Sequence, residues 1–334
     1  MRRLLAGTLK WLFRGGLALL LVFACVVVAY WAPDRPVDQL KARWAPPPSQ
    51  FVAIEGMSVH LRDEGPRDDA SPLLLLHGTS SSLHTWEGWV PALRARHRVI
   101  SVDLPGYGLT GPFPDGDYRL AHYTRFIGEL LDAQGVRHAV LVGNSFGGQV
   151  ALEMALAQPE RVDKLILVDA LGYPLDSTSV PIGFRIAKMP LLNRLTQFVL
   201  PRRMVEDSVR NVYGDPDKVT PALVDRYYDL TLRAGNRASL PERFKHQPTG
   251  ESARRIATIR KPTLILWGGR DRLIPPAVGR QMQQQMAGSR LVVFDDLGHV
   301  PQEEDPARTV APVREFLALP LDGLSQSPAP AAPR

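Results

Sequence analysis

The apolar positions of this chain fall into short runs. FVAIEG (51–56) and SVHLRD (58–63), hinged at Gly56, read as an antiparallel hairpin. LLLLHG (73–78), RVISVD (98–103), AVLVGN (139–144), KLILVDA (164–170), TLILWG (263–268) and RLVVFDD (290–296) follow. Runs this continuously apolar are buried on both faces, which requires a parallel sheet covered by helices. Helical periodicity fills 118–134, 147–158, 275–286 and 306–318 between them. The pattern predicts a doubly wound, mostly parallel eight-stranded α/β sheet.

Two stretches break that rhythm. Residues 172–260 hold helical patterns and no comparable strand, so a helical cap is expected between core segments 51–171 and 261–318. Ile182, Phe184, Leu191, Leu192, Phe198, Val199, Tyr227 and Tyr228 are its apolar candidates for pocket or cap core. At the other break, residues 15–32 (GGLALLLVFACVVVAYWA) carry no charge. Extended by Trp11–Phe13, with Arg14 reaching the headgroups, the run suffices for a transmembrane helix. Trp11 and Tyr30/Trp31 bracket it by roughly 30 Å at 1.5 Å per residue, the spacing of two aromatic belts. A signal-peptide cleavage site is disfavoured by the bulky Tyr30-Trp31 before Pro33, and a lipoprotein site by the apolar residues after Cys25.

Charge sharpens this reading. Of the net +6, Arg2, Arg3, Lys10 and Arg14 contribute four before the first acid, Asp34. The rest of the chain is nearly balanced, and no nucleic-acid module appears. The basic segment 1–14 is expected to stay cytoplasmic, with the α/β domain on the outer side, periplasmic in a bacterium. Residues 33–50 are Pro-rich and read as a stiff spacer, and 319–334 as a disordered tail. The lone Cys25 excludes a disulfide framework and a Cys-based zinc site.

The chemistry centres on GNSFGG. Gly143-Asn144-Ser145-Phe146-Gly147 fits G-x-S-x-G between a strand and a helix, the context of a nucleophile elbow. A phosphate cradle at the same helix start lacks a nearby Lys or acidic ribose partner. A serine hydroxyl needs a base, and His299 follows the last strand, at the sheet edge that also carries Ser145. Asp271, past the next-to-last strand, is the orienting acid, with Asp169 in reserve. Phe146 and Thr79 offer amides for an oxyanion hole. His77 braces the loop that begins Gly78-Thr79, and Asp103 holds its own turn. Ser80, Trp86, Trp267 and Val300 are candidate pocket residues.

Taken together, HGTSSS, DLPGYG, GNSFGG, GGRDRLIP and GHVPQEEDP make residues 50–318 resemble the α/β-hydrolase superfamily. The resemblance implies acyl transfer by Ser145, His299 and Asp271, with no metal or cofactor. Haloalkane dehalogenases and epoxide hydrolases use an Asp nucleophile where this chain has Ser145. Carbon–carbon hydrolases of ring-cleavage products look similar around GNSFGG. They carry Gly-Pro-Gly after the HG loop and Trp after the catalytic His, where this chain has Ser80-Ser81-Ser82 and Val300. Cofactor-free haloperoxidases and perhydrolases share the triad. The expectation is a membrane-tethered carboxylesterase or lipase-like enzyme acting on an ester or lipid-like substrate. The alternatives are the carbon–carbon hydrolase, the haloperoxidase or perhydrolase, and a noncatalytic binding protein on the same fold.

Overall fold

Eight strands form one sheet in the order β1-β2-β4-β3-β5-β6-β7-β8. The computed structural model describes residues 2–174, 177–189, 192–246 and 250–319. β1 (Ser49–Ile54) and β2 (Met57–Glu64) pair antiparallel, and β2 runs antiparallel to β4 (Val99–Val102). β3 (Leu73–Leu76), β4, β5 (Ala139–Asn144), β6 (Val162–Val168), β7 (Thr263–Gly268) and β8 (Arg290–Phe294) are mutually parallel. The period-2 geometry of a strand splits each apolar run between two layers. Leu74 and Leu76 face one core with Phe126 and Met282, while Leu73 and Leu75 face the other with Trp89 and Phe316.

The helices are α1 (Arg2–Ala29), α2 (Val37–Trp44), α3 (Val90–Leu93), α4 (Leu120–Ala133) and α5 (Phe146–Ala157). Between β6 and β7 the cap contributes α6 (Ile182–Ala187), α7 (Leu192–Leu195), α8 (Arg202–Val212), α9 (Pro221–Thr231), α10 (Asn236–Phe244) and α11 (Gly250–Ile256). α12 (Pro276–Gln285), α13 (Pro301–Glu304) and α14 (Pro306–Leu317) complete the core.

Three expectations about the ends meet the structure differently. The run 15–32 is not found as a membrane span: among the described residues, no helix is long and apolar enough to cross a membrane. The uncharged part of α1, 15–29, rises about 22 Å at 1.5 Å per residue, so a span of roughly 30 Å has to take in Trp11–Arg14 as well. Tyr30–Ala32 instead join the cap: the Leu200 N–H donates to Tyr30 O at 3.1 Å and the Ala32 N–H to Phe198 O at 2.8 Å.

The segment 33–50 is likewise no free spacer. It folds in part into α2, and buried Asp229 of α9 accepts from Arg35, Arg43 and the Trp44 indole at 2.9, 3.1 and 3.0 Å. Arg237 of α10 donates to Asp34 and to Ala32 O, fastening the same strap to the cap. Of the tail 319–334, residues 320–334 lie outside the described residues.

Candidate active site

The strand-to-helix junction after β5 forces Ser145 into φ 53°, ψ −116°, a conformation that L residues rarely hold. The fold sustains it by close backbone approach. A Cβ on Gly143 would strike the backbone of Gly147, and one on Gly147 would strike the carbonyl of Leu76. The Ser145 N–H is held by Val168 O at 3.0 Å. Phe146 opens α5, so its N–H is among those a helix start leaves without an intrahelical acceptor. The helix dipole there favours developing negative charge.

Asp271 and His299 come from separate loops and meet: His299 Nδ1–H donates to Asp271 Oδ2 at 2.7 Å. The other carboxylate oxygen accepts from the Leu273 and Ile274 amides at 2.8 and 2.9 Å, which fixes Asp271 in its turn. With Nδ1 committed, Nε2 is the ring nitrogen left to accept a proton. Ser145 and His299 both line one cavity beneath the cap.

The loop after β3 carries Thr79, whose amide is the candidate second donor to an oxyanion. His77 is wholly buried, donates from Nδ1 to Gly78 O at 2.7 Å and accepts from the Leu104 N–H at Nε2, 2.9 Å. Both ring nitrogens are therefore used by a neutral imidazole, and burial holds its pKa down. The Gly78 backbone packs against Asn144 and Ser145, and Gly78, Thr79 and Ser80 border the cavity. Asp103 accepts from the Leu83 and Leu109 amides, 2.7 Å each, and from His60 Nδ1 at 2.7 Å. Its pKa falls because His60 opposes the cost of burial.

The cavity encloses about 1030 Å³ of empty space, its mouth included. Phe184, Leu200, Val205, Leu240 and Leu273 make its walls apolar, and Val300, Tyr227 and Ser80 contribute to them. Two expected pocket residues do not. Trp86 is fully buried in the opposite layer, 5.2 Å from the Trp89 ring, because its turn feeds that side of the sheet. Trp267 is fully buried too: its place on β7 aims it at α12, and its indole donates to Ile274 O at 2.9 Å. Among the cap candidates, Phe184 and Tyr227 reach the cavity. Ile182, Leu192 and Phe198 are exposed, and Val199 and Tyr228 pack in the cap. Leu191 lies outside the described residues.

Supports that motif reading missed come from sequence-distant elements. Asn144 Nδ2 donates to Val168 O and His299 O at 3.1 and 3.0 Å, and the His299 N–H to Val212 O at 2.7 Å. Buried Glu304 collects the Gly214, Asp215 and Gly298 amides at 2.9, 2.8 and 2.8 Å. Arg243 stacks 4.5 Å over Phe146 and reaches Thr79 Oγ1 at 3.4 Å, so a cation stands behind the Thr79 loop. Of these, Asn144 and Glu304 lie inside recognisable motifs, GNSFGG and GHVPQEEDP, and Arg243 does not.

The family described as alpha/beta hydrolase fold matches residues 71–306, and the chain belongs to it. This makes it a hydrolase of that fold. An uncharacterized protein of Mycobacterium tuberculosis is 31% identical over 303 residues, covering 85% of this chain and 84% of that one. The 2-hydroxy-6-oxo-2,4-heptadienoate hydrolase of Pseudomonas putida is 28% identical over 281 residues, 80% of this chain and 96% of that one. A bacterial membrane phospholipase A, described as a virulence factor, superimposes with TM-score 0.68 and 25% identity over 98% of this chain and 100% of that one.

Proposed function

We propose that this protein is a membrane-anchored serine hydrolase cleaving carboxylic esters of apolar acyl groups. The observation that carries the reading is the convergence of Ser145 and the Asp271-bound His299 at one apolar cavity. Ser145 Oγ attacks the ester carbonyl while His299 Nε2 takes its proton. The Phe146 and Thr79 amides receive the oxyanion, each worth about 3 kcal/mol in comparable enzymes. His299 returns the proton to the departing alcohol, and water, deprotonated by the same imidazole, releases the acid.

The carbon–carbon alternative has the dienoate hydrolase among its relatives. A dienoate carries a carboxylate and calls for a cation in the pocket. Among the described residues, Arg237 is the one arginine or lysine that lines the cavity, and Asp34 already engages it at 3.0 and 2.5 Å. That favours an uncharged acyl chain.

The anchor reading rests on α1, whose Trp11, Phe13, Leu20 and Val28 are exposed. From Trp11 to Ala29 the helix rises about 28 Å, near the hydrocarbon thickness once Arg14 snorkels outward. The likeness to the membrane phospholipase extends over 98% of the chain, which takes in most of α1. In this reading the N-terminus is cytoplasmic and the hydrolase domain faces outward.

The test is a p-nitrophenyl ester series of increasing chain length beside a ring-cleavage dienoate, using detergent-solubilised full-length protein. Ester turnover that vanishes in Ser145→Ala is expected. Turnover of the dienoate alone would sink the ester reading. Retention in membranes through alkaline carbonate washing checks the anchor.

A further inference from the structure

The cap segment between residues 177 and 205 contains Arg185, Lys188, Arg194, Arg202 and Arg203, and no Asp or Glu. Arg202 and Arg203 pair with Asp225 and Asp207. Arg185, Lys188 and Arg194 are exposed and have no acidic partner among the described residues. Interleaved with them, Ile182, Met189, Leu192 and Phe198 are 40%, 48%, 42% and 50% exposed. Large apolar side chains so exposed and so close in sequence are a patch, not the scatter of an ordinary surface. The inner side of the same segment is already spent: Phe184 and Ala187 of α6 and Leu200 wall the cavity above Ser145.

The patch is also joined to α1. Trp31 stacks on Phe198 with ring centroids 5.7 Å apart and planes 15° apart, and the backbones pair at Trp31 and Val199. The exposed apolar surface of the cap therefore joins, at Phe198, the chain two residues beyond the end of α1.

We propose that α6, α7 and the turn after them form a lipid-contacting face that seats on an anionic bilayer surface. Ile182, Met189, Leu192 and Phe198 enter the acyl boundary, and Arg185, Lys188 and Arg194 meet the phosphates. Basic residues interleaved with large apolar ones are the composition of an interfacial segment. Each cation near an anionic surface strengthens binding severalfold, so the three together are worth roughly 100-fold. One layer of cap then separates bilayer from cavity, and an acyl ester passes from membrane to Ser145 without crossing bulk water. That last step rests on the ester-hydrolase reading, whereas the contact itself does not.

The test uses full-length protein reconstituted into vesicles. Met189→Cys in a Cys25→Ser background carries an environment-sensitive fluorophore. A blue shift and quenching by brominated acyl chains are expected in phosphatidylcholine vesicles containing phosphatidylglycerol. Both should weaken at least tenfold in lipid dependence in the Arg185→Glu/Lys188→Glu/Arg194→Glu variant. Ile182→Ser/Leu192→Ser should slow hydrolysis of a vesicle-borne ester at least tenfold, yet leave turnover of a soluble p-nitrophenyl ester within twofold. A fluorophore that never senses lipid, or senses it regardless of these charges, would overturn the proposal. So would a blue shift that grows with protein concentration in detergent alone, which assigns the face to a second copy. A normal lipid-dependent shift with no hydrolysis by the unmodified enzyme would remove the ester reading and leave the contact standing.

Discussion

Asp169 and Asp271 each place a carboxylate oxygen within 4.8 Å of the other and of a ring nitrogen of His299. Two buried carboxylates so close do not both ionise at ordinary pH. Asp271 has two amides and the imidazole to hold its charge. Asp169 has one amide, from Gly268 at 2.9 Å, and its pKa is driven well up by burial first and then by the Asp271 charge.

The sign of the pH effect follows from that pairing. Above pH ~4 the unfolded chain has released the Asp169 proton that the folded chain retains, so this residue lowers stability progressively as pH rises toward its folded pKa. Asp169→Asn removes the titration. Its melting temperature should gain on the natural protein from pH 4 upward, with ester turnover within about threefold. Asp271→Asn, by contrast, should lose about 10⁴-fold in kcat by forcing the wrong His299 tautomer. Melting curves across pH 4 to 8 and initial rates decide both; a constant melting difference would refute the first.

A second pH window belongs to His84. It lies buried in the strap's seat, accepting from Ser82 Oγ at 3.0 Å and donating to Trp44 O at 2.8 Å. Burial lowers its pKa to about 4. An unfolded histidine, near 6.5, binds its proton before the folded one does, so stability present above pH 6.5 is lost as pH falls toward 4. His84→Gln should flatten that part of the stability curve, measured by thermal melts from pH 7.5 to 4.5. A slope unchanged by the substitution would place the acid sensitivity elsewhere.

The core was legible because each of its signals is local. Apolar runs such as LLLL at 73–76 are strands buried on both faces, and GNSFG needs only its neighbours to make the elbow. Trp86 and Trp267 were misread because proximity to a motif says nothing about which layer a side chain enters. That depends on strand parity and on the helix opposite, Gly279 of α12 in the case of Trp267. The strap was hidden for a different reason. Asp34 and Arg237 stand 203 positions apart, and a Pro-rich stretch looks the same whether it floats or docks. Arg243 was equally invisible, being an ordinary charged residue until tertiary packing buries it beside the site.

The strap carries a prediction of its own. Arg237 spends its guanidinium on Asp34, on Ala32 O at 2.7 Å and on Thr196 O at 2.9 Å, while its side chain borders the cavity. Asp34→Ala leaves the two carbonyl acceptors and removes the charged one. A hydrogen bond to a charged group contributes about 1.5–3 kcal/mol, and the melting temperature should fall accordingly. Because Thr196 also lines the cavity, KM for a long-chain ester should rise severalfold with kcat nearly constant. Steady-state kinetics with a C4 and a C12 ester separate this from a general loss of fold, which would lower the active fraction for both.

The cavity wall offers the sharpest test of substrate shape. Ala187 ends α6, is buried, and faces the cavity between Phe184 and the cap helices. Ala187→Phe fills space an extended acyl chain would occupy and leaves Ser145, Asp271 and His299 untouched. Overpacking of this kind costs about 1–3 kcal/mol of stability, so the variant is expected to fold with a lower melting point. Losing contact with four or more methylenes, at about 0.8 kcal/mol each, should lower kcat/KM for a C12 ester by roughly 200-fold or more. Turnover of a C4 ester should change less than threefold, since its acyl chain ends before it meets the new ring. A parallel drop for both esters would mean that the chain does not run along α6, and the cavity would have to be read as the alcohol site instead.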